Sequence, residues 1–239
     1  MASVVNDLVL LTINVNGLKS MTNRTWKISR IAHLINKYKT DIIFLQETHL
    51  EDAFTADRLI VDLKIAGMTH GAGFHSLARP GDWTGTTTLL TSDRWTVVGS
   101  TVDVTGRIVT VDVTRGNSYH SLVNVYAPSG SSNQDRPVFF DDLFNFVQTT
   151  ARHDIIMAGD FNVTLDDRDR ILGMTANRNV GRTELQQIVD HFTLKDTYLD
   201  MNPHRQNVDM TYHHHAQQGS RIDYIFTSKN NDTTQHKHM

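Results

Sequence analysis

Short apolar runs punctuate the chain, at residues 8–13, 42–45, 86–90, 96–98, 108–113, 122–125, 155–158 and 222–226. Runs this short and this rich in Val, Ile, Leu and Thr predict strands buried on one or both faces. Three other stretches repeat at helical spacing. Across residues 22–38 the positions Ile28, Ile31, Leu34, Ile35 and Tyr38 follow i, i+3, i+4, i+7, and across 137–149 Phe139, Leu143, Phe146 and Val147 do the same. Residues 183–191 carry Leu185, Ile188 and Val189 behind Thr183, whose hydroxyl suits a helix N-cap.

Two helical stretches lead through a short polar break into an apolar run: Thr40-Asp41 precedes Ile42, and Arg152-His153-Asp154 precedes Ile155. Residues 86–125 hold strands alone, separated by Ser-Asp, Thr-Gly and Gly-Asn turns. This order predicts α/β layers in which helices cover sheets, rather than a doubly wound parallel fold. No repeat or linker divides the chain, so residues 1–229 read as one domain followed by a poorly ordered polar tail at 230–239. Polar residues gather where strands end: Asn14 after 8–13, Gln46 and Glu47 after 42–45, Tyr126 after 122–125, Asp160 and Asn162 after 155–158. Rigid sheets hold catalytic groups at such ends.

Composition narrows the chemistry. At 239 residues and 39% apolar the chain can bury a core. It has no cysteine, which removes disulfide scaffolds, thiol nucleophiles and Cys-based zinc sites together. A net charge of −3 argues against a simple basic nucleic-acid-binding module, so any such contact must be local and helped by a cation. No signal peptide opens the chain and no apolar run approaches the ~20 residues that span a bilayer, so a soluble intracellular protein is expected.

The strand-end residues suggest what the cation is for. Glu47, read with Asn14, Asp160, Asn162 and Asp223, supplies hard oxygen ligands at one sheet edge, which suits Mg²⁺ or Mn²⁺ over structural zinc. In Gly159-Asp160-Phe161-Asn162, Asp160 and Asn162 alternate onto one side of an extended backbone, where they can grip a nucleophilic water and a phosphate; an Asx turn capping a loop explains the same residues equally well. Tyr126 is either a packing residue or a donor to a developing oxyanion. Arg221 and Asp223 lie on one side of the last predicted strand, where a surface ion pair is the plain expectation. Three successive histidines, His213 to His215, alternate faces in a strand and cannot chelate one ion there, so they read as a polar edge or loop. Gly67 to Gly73 lacks a following Lys-Ser/Thr and is no P-loop.

Five segments in order carry a family resemblance: Thr12-Ile13-Asn14-Val15-Asn16-Gly17-Leu18, Leu45-Gln46-Glu47-Thr48, Asn124-Val125-Tyr126-Ala127-Pro128, Gly159-Asp160-Phe161-Asn162 and Arg221-Ile222-Asp223-Tyr224. Together they resemble the endonuclease/exonuclease/phosphatase superfamily, most of all the apurinic-like endonuclease domain of non-LTR retrotransposon ORF2 proteins. The resemblance implies a four-layered α/β sandwich, two mixed sheets face to face with helices outside. It implies Mg²⁺-dependent (or Mn²⁺-dependent) hydrolysis of a phosphodiester in double-stranded DNA, leaving a 3′-hydroxyl nick for a reverse transcriptase region of the same polyprotein. By motif, Glu47 and Asn14 would hold the metal, Asp160 would orient or deprotonate water, Asn162 and Tyr126 would bind the phosphate, and Asp223 would complete the site. Arg170, in a turn at residues 165–170 that resembles a DNA-contacting one, and Thr211, Tyr212, Ser220 and Arg221 would flank the DNA.

One departure stands out. The family ends with Ser-Asp-His before a last strand, and this chain has no Ser-Asp-His. The 16 residues after Asp223 are expected to be too few for a loop and that strand, so the domain is expected to be C-terminally incomplete. An inactive DNA-binding remnant, or a same-fold phosphoesterase acting on abasic DNA, phosphoinositide or sphingomyelin, are the competing readings. A nuclear location follows from the expected substrate.

Overall fold

The computed structural model of the chain describes residues 2–5, 8–19, 21–129, 135–171, 179–204, 208–215, 218–228 and 234–237. Within them lie two six-stranded mixed sheets. The first runs β14 (Thr234–Lys237), β1 (Ala2–Val5), β2 (Leu8–Asn14), β3 (Ile42–Gln46), β5 (Thr86–Leu90), β4 (Ala72–Ser76). The second runs β10 (Leu194–Asp196), β13 (Asp223–Ser228), β9 (Asp154–Asp160), β8 (Ser118–Tyr126), β7 (Ile108–Arg115), β6 (Thr96–Val102). A separate hairpin pairs β11 (Tyr212–His215) with β12 (Gln218–Ser220).

The apolar runs sort their side chains by the two-residue period of a strand. On β3, Ile42 and Phe44 face the other sheet, while Ile43 and Leu45 face the helices α1 (Met21–Tyr38) and α2 (Ala53–Ile65). On β9, Ile156 and Ala158 face the first sheet, and Ile155 and Met157 face α3 (Asp135–Thr150) and α4 (Arg182–His191). Both faces are covered, which is why these strands read as unbroken apolar runs. The result is the four-layered α/β sandwich, with one core between the sheets and one under each helical layer.

Each sheet contains one parallel pair joined by a helix: β2 and β3 through α1, β8 and β9 through α3. A parallel pair ends both strands at the same level. Asn14 lies beside Gln46 and Tyr126 beside Asp160, so the C-terminal strand ends of both sheets meet at one rim.

Several expectations need correction. A last strand does form: β14 pairs antiparallel with β1, His236 opposite Ser3, so part of the expected tail extends the first sheet. The rest of 230–239 lies outside the described residues. Helix α4 starts at Arg182 with Gly181 as its N-cap in the left-handed region (φ 91°), and Thr183 sits inside the first turn. Helix α2 adds to the three helical stretches expected from spacing, with Asp52 capping Thr55 N–H and Ala56, Leu59 and Leu63 buried. Among the described residues no helix is long and apolar enough to cross a membrane.

Candidate active site

The rim where the sheets meet holds a chain of side-chain contacts. Asn14, the last residue of β2, donates Nδ2 to Glu47 Oε1 at 2.8 Å and to Asp160 Oδ2 at 3.0 Å, so one amide bridges carboxylates carried by different sheets. Tyr126 donates its hydroxyl to the same Glu47 oxygen at 2.7 Å. Asp160 Oδ1 accepts the Asn162 backbone N–H at 3.0 Å. Across the antiparallel β9–β13 pair, Asp223 is the direct partner of Asp160. Asn14, Glu47, Tyr126, Asp160, Asn162 and Asp223 are thus brought together.

Backbone conformation shapes this rim. Glu47 and Asn162 adopt positive φ, 53° and 51°, one and two residues after β3 and β9 end. Non-glycine residues there carry strain of about 1–3 kcal/mol that surrounding contacts must hold. Gly159 allows the closest approach: a Cβ on it would lie 1.9 Å from Val125 O, so only glycine lets β9 run against β8 just before Asp160.

Electrostatics separate the groups. Asp160 is only 5% exposed, and burial, followed by the facing Asp223, holds its carboxyl well above the usual range despite hydrogen bonds from Asn14 and Asn162. Burial raises Asp223 as well. Burial and then Glu47 push the Tyr126 hydroxyl up, so it stays protonated and donates. Arg107 was missed in the sequence although it follows a turn glycine. Its guanidinium lies 5.1 Å from the Tyr126 ring centroid and donates to Tyr126 O at 3.1 Å. The indole of Trp83, 75% exposed, meets His49 edge-on at 5.2 Å on the Glu47 side.

Asn162 is buried, donating Nδ2 to Ala127 O at 3.0 Å while its backbone N–H holds Asp160. The DNA-flanking residues are placed differently from what the resemblance implies. Arg221 and Ser220 are fully buried and cannot line a groove. Arg221 does not pair with Asp223; it forms ion pairs with Asp169 at 2.8 Å and Asp196 at 2.7 Å. The turn at 165–170 is built around that pair: Asp166 and Asp169 cap each other in a short 3-10 turn, and Asp169 is buried. Arg170 is half-buried, donating to Thr164 Oγ1 at 2.8 Å and to Asn179. Thr211 Oγ1 accepts the Ile222 and Asp223 N–H groups at 3.1 and 3.2 Å, and Tyr212 is half-buried on β11. Backbone bonds from Ile171 to Gly219 and from Thr211 to Ser220 tie turn and hairpin together beside Asp223.

A hard cation fits one position here. Glu47 Oε1 is taken by Asn14 and Tyr126, whereas Oε2 accepts no hydrogen bond among the described residues. Among those residues no three His, Cys, Asp or Glu groups converge into a ready-made cluster. One carboxylate oxygen with the remaining sites left to water and substrate is the pattern Mg²⁺ accepts.

The sequence profile of the Endonuclease/Exonuclease/phosphatase family matches residues 11–236. The chain is 30% identical over 229 residues, 92% of its length, to the transposon TX1 uncharacterized 149 kDa protein of Xenopus laevis, of which it spans 16%. It is 23% identical over 251 residues to exodeoxyribonuclease III of Haemophilus influenzae, covering 92% of this chain and 87% of that one. Among solved structures, AP endonuclease LMAP from Leishmania major superposes with a TM-score of 0.70 at 19% identity, covering 95% of this chain and 80% of that one. The catalytic domain of Xenopus laevis APE2 gives 0.68 at 16%, covering 95% and 82%. These structures share the two-sheet α/β sandwich described above.

Proposed function

The chain belongs to the endonuclease/exonuclease/phosphatase family, and from that premise we propose that it is a Mg²⁺-dependent DNA endonuclease. It would hydrolyse one phosphodiester of double-stranded DNA and leave a 3′-hydroxyl nick of the kind a retroelement uses at its target site, in the nucleus. The observation that carries this reading is the Glu47–Asn14–Asp160 hydrogen-bonded chain across the two sheets, with Glu47 Oε2 left to accept a cation. The transposon relative, of which the chain spans 16%, supports the retroelement setting within a longer polyprotein, and a reverse transcriptase region there is part of the same proposal.

A divalent ion held by Glu47, with Asn14 beside it, would supply charge neutralisation at the phosphate and the leaving oxygen. The chain's own groups account for the rest. Asp160, its pKa raised by burial, is fixed by Asn14 and Asn162 so that a free oxygen lobe can orient an attacking water and take its proton. Tyr126 keeps its proton and holds Glu47 in place from the second sheet. Arg107 adds a fixed positive charge beside that tyrosine. Thr211, Tyr212 and Arg170 lie on the hairpin and turn next to Asp223, where they border a bound duplex.

Supercoiled plasmid tests this directly. Nicking with Mg²⁺, its loss in EDTA, and ends that a polymerase extends are the expected results, with Glu47→Ala and Asp160→Ala inactive. Intact plasmid with salt-sensitive DNA binding identifies one rival, an inactive DNA-binding form. Preferential cleavage of an abasic duplex, or turnover of phosphoinositide or sphingomyelin instead of DNA, identifies the other.

A further inference from the structure

Directly beneath the rim, the apolar core between the sheets is interrupted by a polar pair. Gln46 on β3 and Asn124 on β8 are both fully buried. Gln46 donates Nε2 to Asn124 Oδ1 at 2.7 Å and to Thr12 Oγ1 at 3.0 Å. Asn124 donates Nδ2 to Thr87 O at 3.0 Å, reaching from the second sheet into the backbone of the first. Burying two amides is unfavourable unless their hydrogen bonds are made, and apolar residues of the same shape would fill the space without that demand.

The partners of the pair are not random. Gln46 immediately precedes Glu47. Thr12 is two residues before Asn14 on β2, and Asn124 is two before Tyr126 on β8, so each shares a face with the site residue above it. The amide pair therefore grips β2, β3 and β8 one layer below the Asn14–Glu47–Tyr126 contacts. It adds directed hydrogen bonds to an inter-sheet core that is otherwise apolar at this depth, around Phe44, Leu122 and Ala158, and directed bonds resist sliding more than apolar contacts do.

We infer that Gln46 and Asn124 are positioning residues: an inter-sheet amide clamp that sets the spacing between Glu47 and Tyr126. As a device serving a metal-binding carboxylate it rests on the proposed function, but the clamping itself can be tested without metal or DNA. Urea unfolding of Glu47→Gln, Tyr126→Phe and the double variant measures their coupling. In the natural background the coupling is about 10-fold in the unfolding constant, as expected for a hydrogen bond to a charged acceptor. With Gln46→Met it disappears. A purely structural role lowers all four stabilities alike and leaves the coupling intact, which overturns the inference. Gln46→Met combined with Asn124→Leu leaves no orphaned amide and serves if the single change does not fold; coupling that persists there is equally fatal. Mn²⁺ binding followed by electron paramagnetic resonance adds the link to function. The natural chain binds, and Gln46→Met binds about 10–100-fold more weakly, whereas Leu63→Ala under α2 does not shift it. Failure of the natural chain to bind Mn²⁺ counts against the proposed function, while unchanged binding in Gln46→Met counts against the clamp's role in it.

Discussion

Two clusters of buried and half-buried acids lie within the second sheet and its surroundings, and they are built on opposite terms. Around Arg221, the carboxylates of Asp169 and Asp196 share a fully buried guanidinium that also stacks 4.4 Å from the Tyr224 ring centroid. Tyr224 OH completes Asp169 with a 3.0 Å hydrogen bond. At the rim, Asp160 and Asp223 face each other across β9 and β13 with an amide and backbone N–H groups for support and no arginine or lysine bonded to either among the described residues. The first cluster has a cation matched to its acids, one guanidinium shared by two carboxylates; the second is held apart from its neutraliser. Burial alone would lower the pKa of Arg221, yet Asp196 and Asp169 hold it above the ordinary value, whereas Asp160 is pushed away from its charged form. An acidic group kept uncompensated at structural cost is where an external cation or a proton belongs; a compensated one serves the fold.

The largest effect should come from breaking the matched cluster. Arg221→Met leaves the Asp169 and Asp196 carboxylates without their cation, which costs about 3–5 kcal/mol. For a domain of this size that is a Tm lower by roughly 10 °C, readable by calorimetry. Nicking per folded molecule, assayed well below that temperature, should stay within a few-fold, because the cluster faces the turn at 165–170 and not the rim. A loss of activity larger than the loss of folded protein would join the two clusters functionally and dissolve the contrast.

The uncompensated cluster should answer in reverse. Asp160→Asn removes the group that orients water, and the nicking rate should fall about 10²–10³-fold, the scale of losing one preorganised polar group at a reacting centre. Its Tm at pH 8 should not fall by more than a degree or two, since a buried charge has been removed with the shape kept. A variant that unfolds as Arg221→Met does would show that Asp160 is needed for folding and not spared for chemistry.

How much of this contrast was legible in the sequence depends on the kind of signal. The strands announced themselves because β3 and β9 are buried on both faces and so read as continuous apolar runs. The rim residues could be read because parallel pairing ends Asn14 with Gln46 and Tyr126 with Asp160, and strand ends are visible one chain segment at a time. Arg221 was misread for a complementary reason. Its partners lie 52 and 25 positions away, and an arginine two residues from an aspartate looks like a local surface pair until the tertiary fold supplies Asp169 and Asp196. Arg107 was invisible because its role is to sit over a ring 19 residues further on. Short edge elements such as β4 and β10 were also missed, since three to five half-exposed residues carry little periodicity.

The finest test concerns the facing pair itself. Both carboxyls have raised pKa values in the folded chain, so the sign runs opposite to that of an ion-paired acid. Below the pKa of the unfolded chain both are protonated in either state and the pair costs nothing. As pH rises through the raised folded values, the unfolded chain releases protons more readily, and a penalty accumulates against the folded state. Asp223→Asn removes one of the two charges while keeping its outline and its backbone bond to Thr211. In EDTA, the variant should therefore match the natural chain near pH 4 and exceed it at pH 8. The gain is on the order of the ~1 kcal/mol that like charges cost when directly opposite on neighbouring strands, or roughly 2–4 °C in Tm. Added Mg²⁺ should narrow the difference by neutralising the natural rim. If instead Asp223→Asn is less stable at pH 8, Asp223 is compensated by a group of its own, and the rim is a second matched cluster.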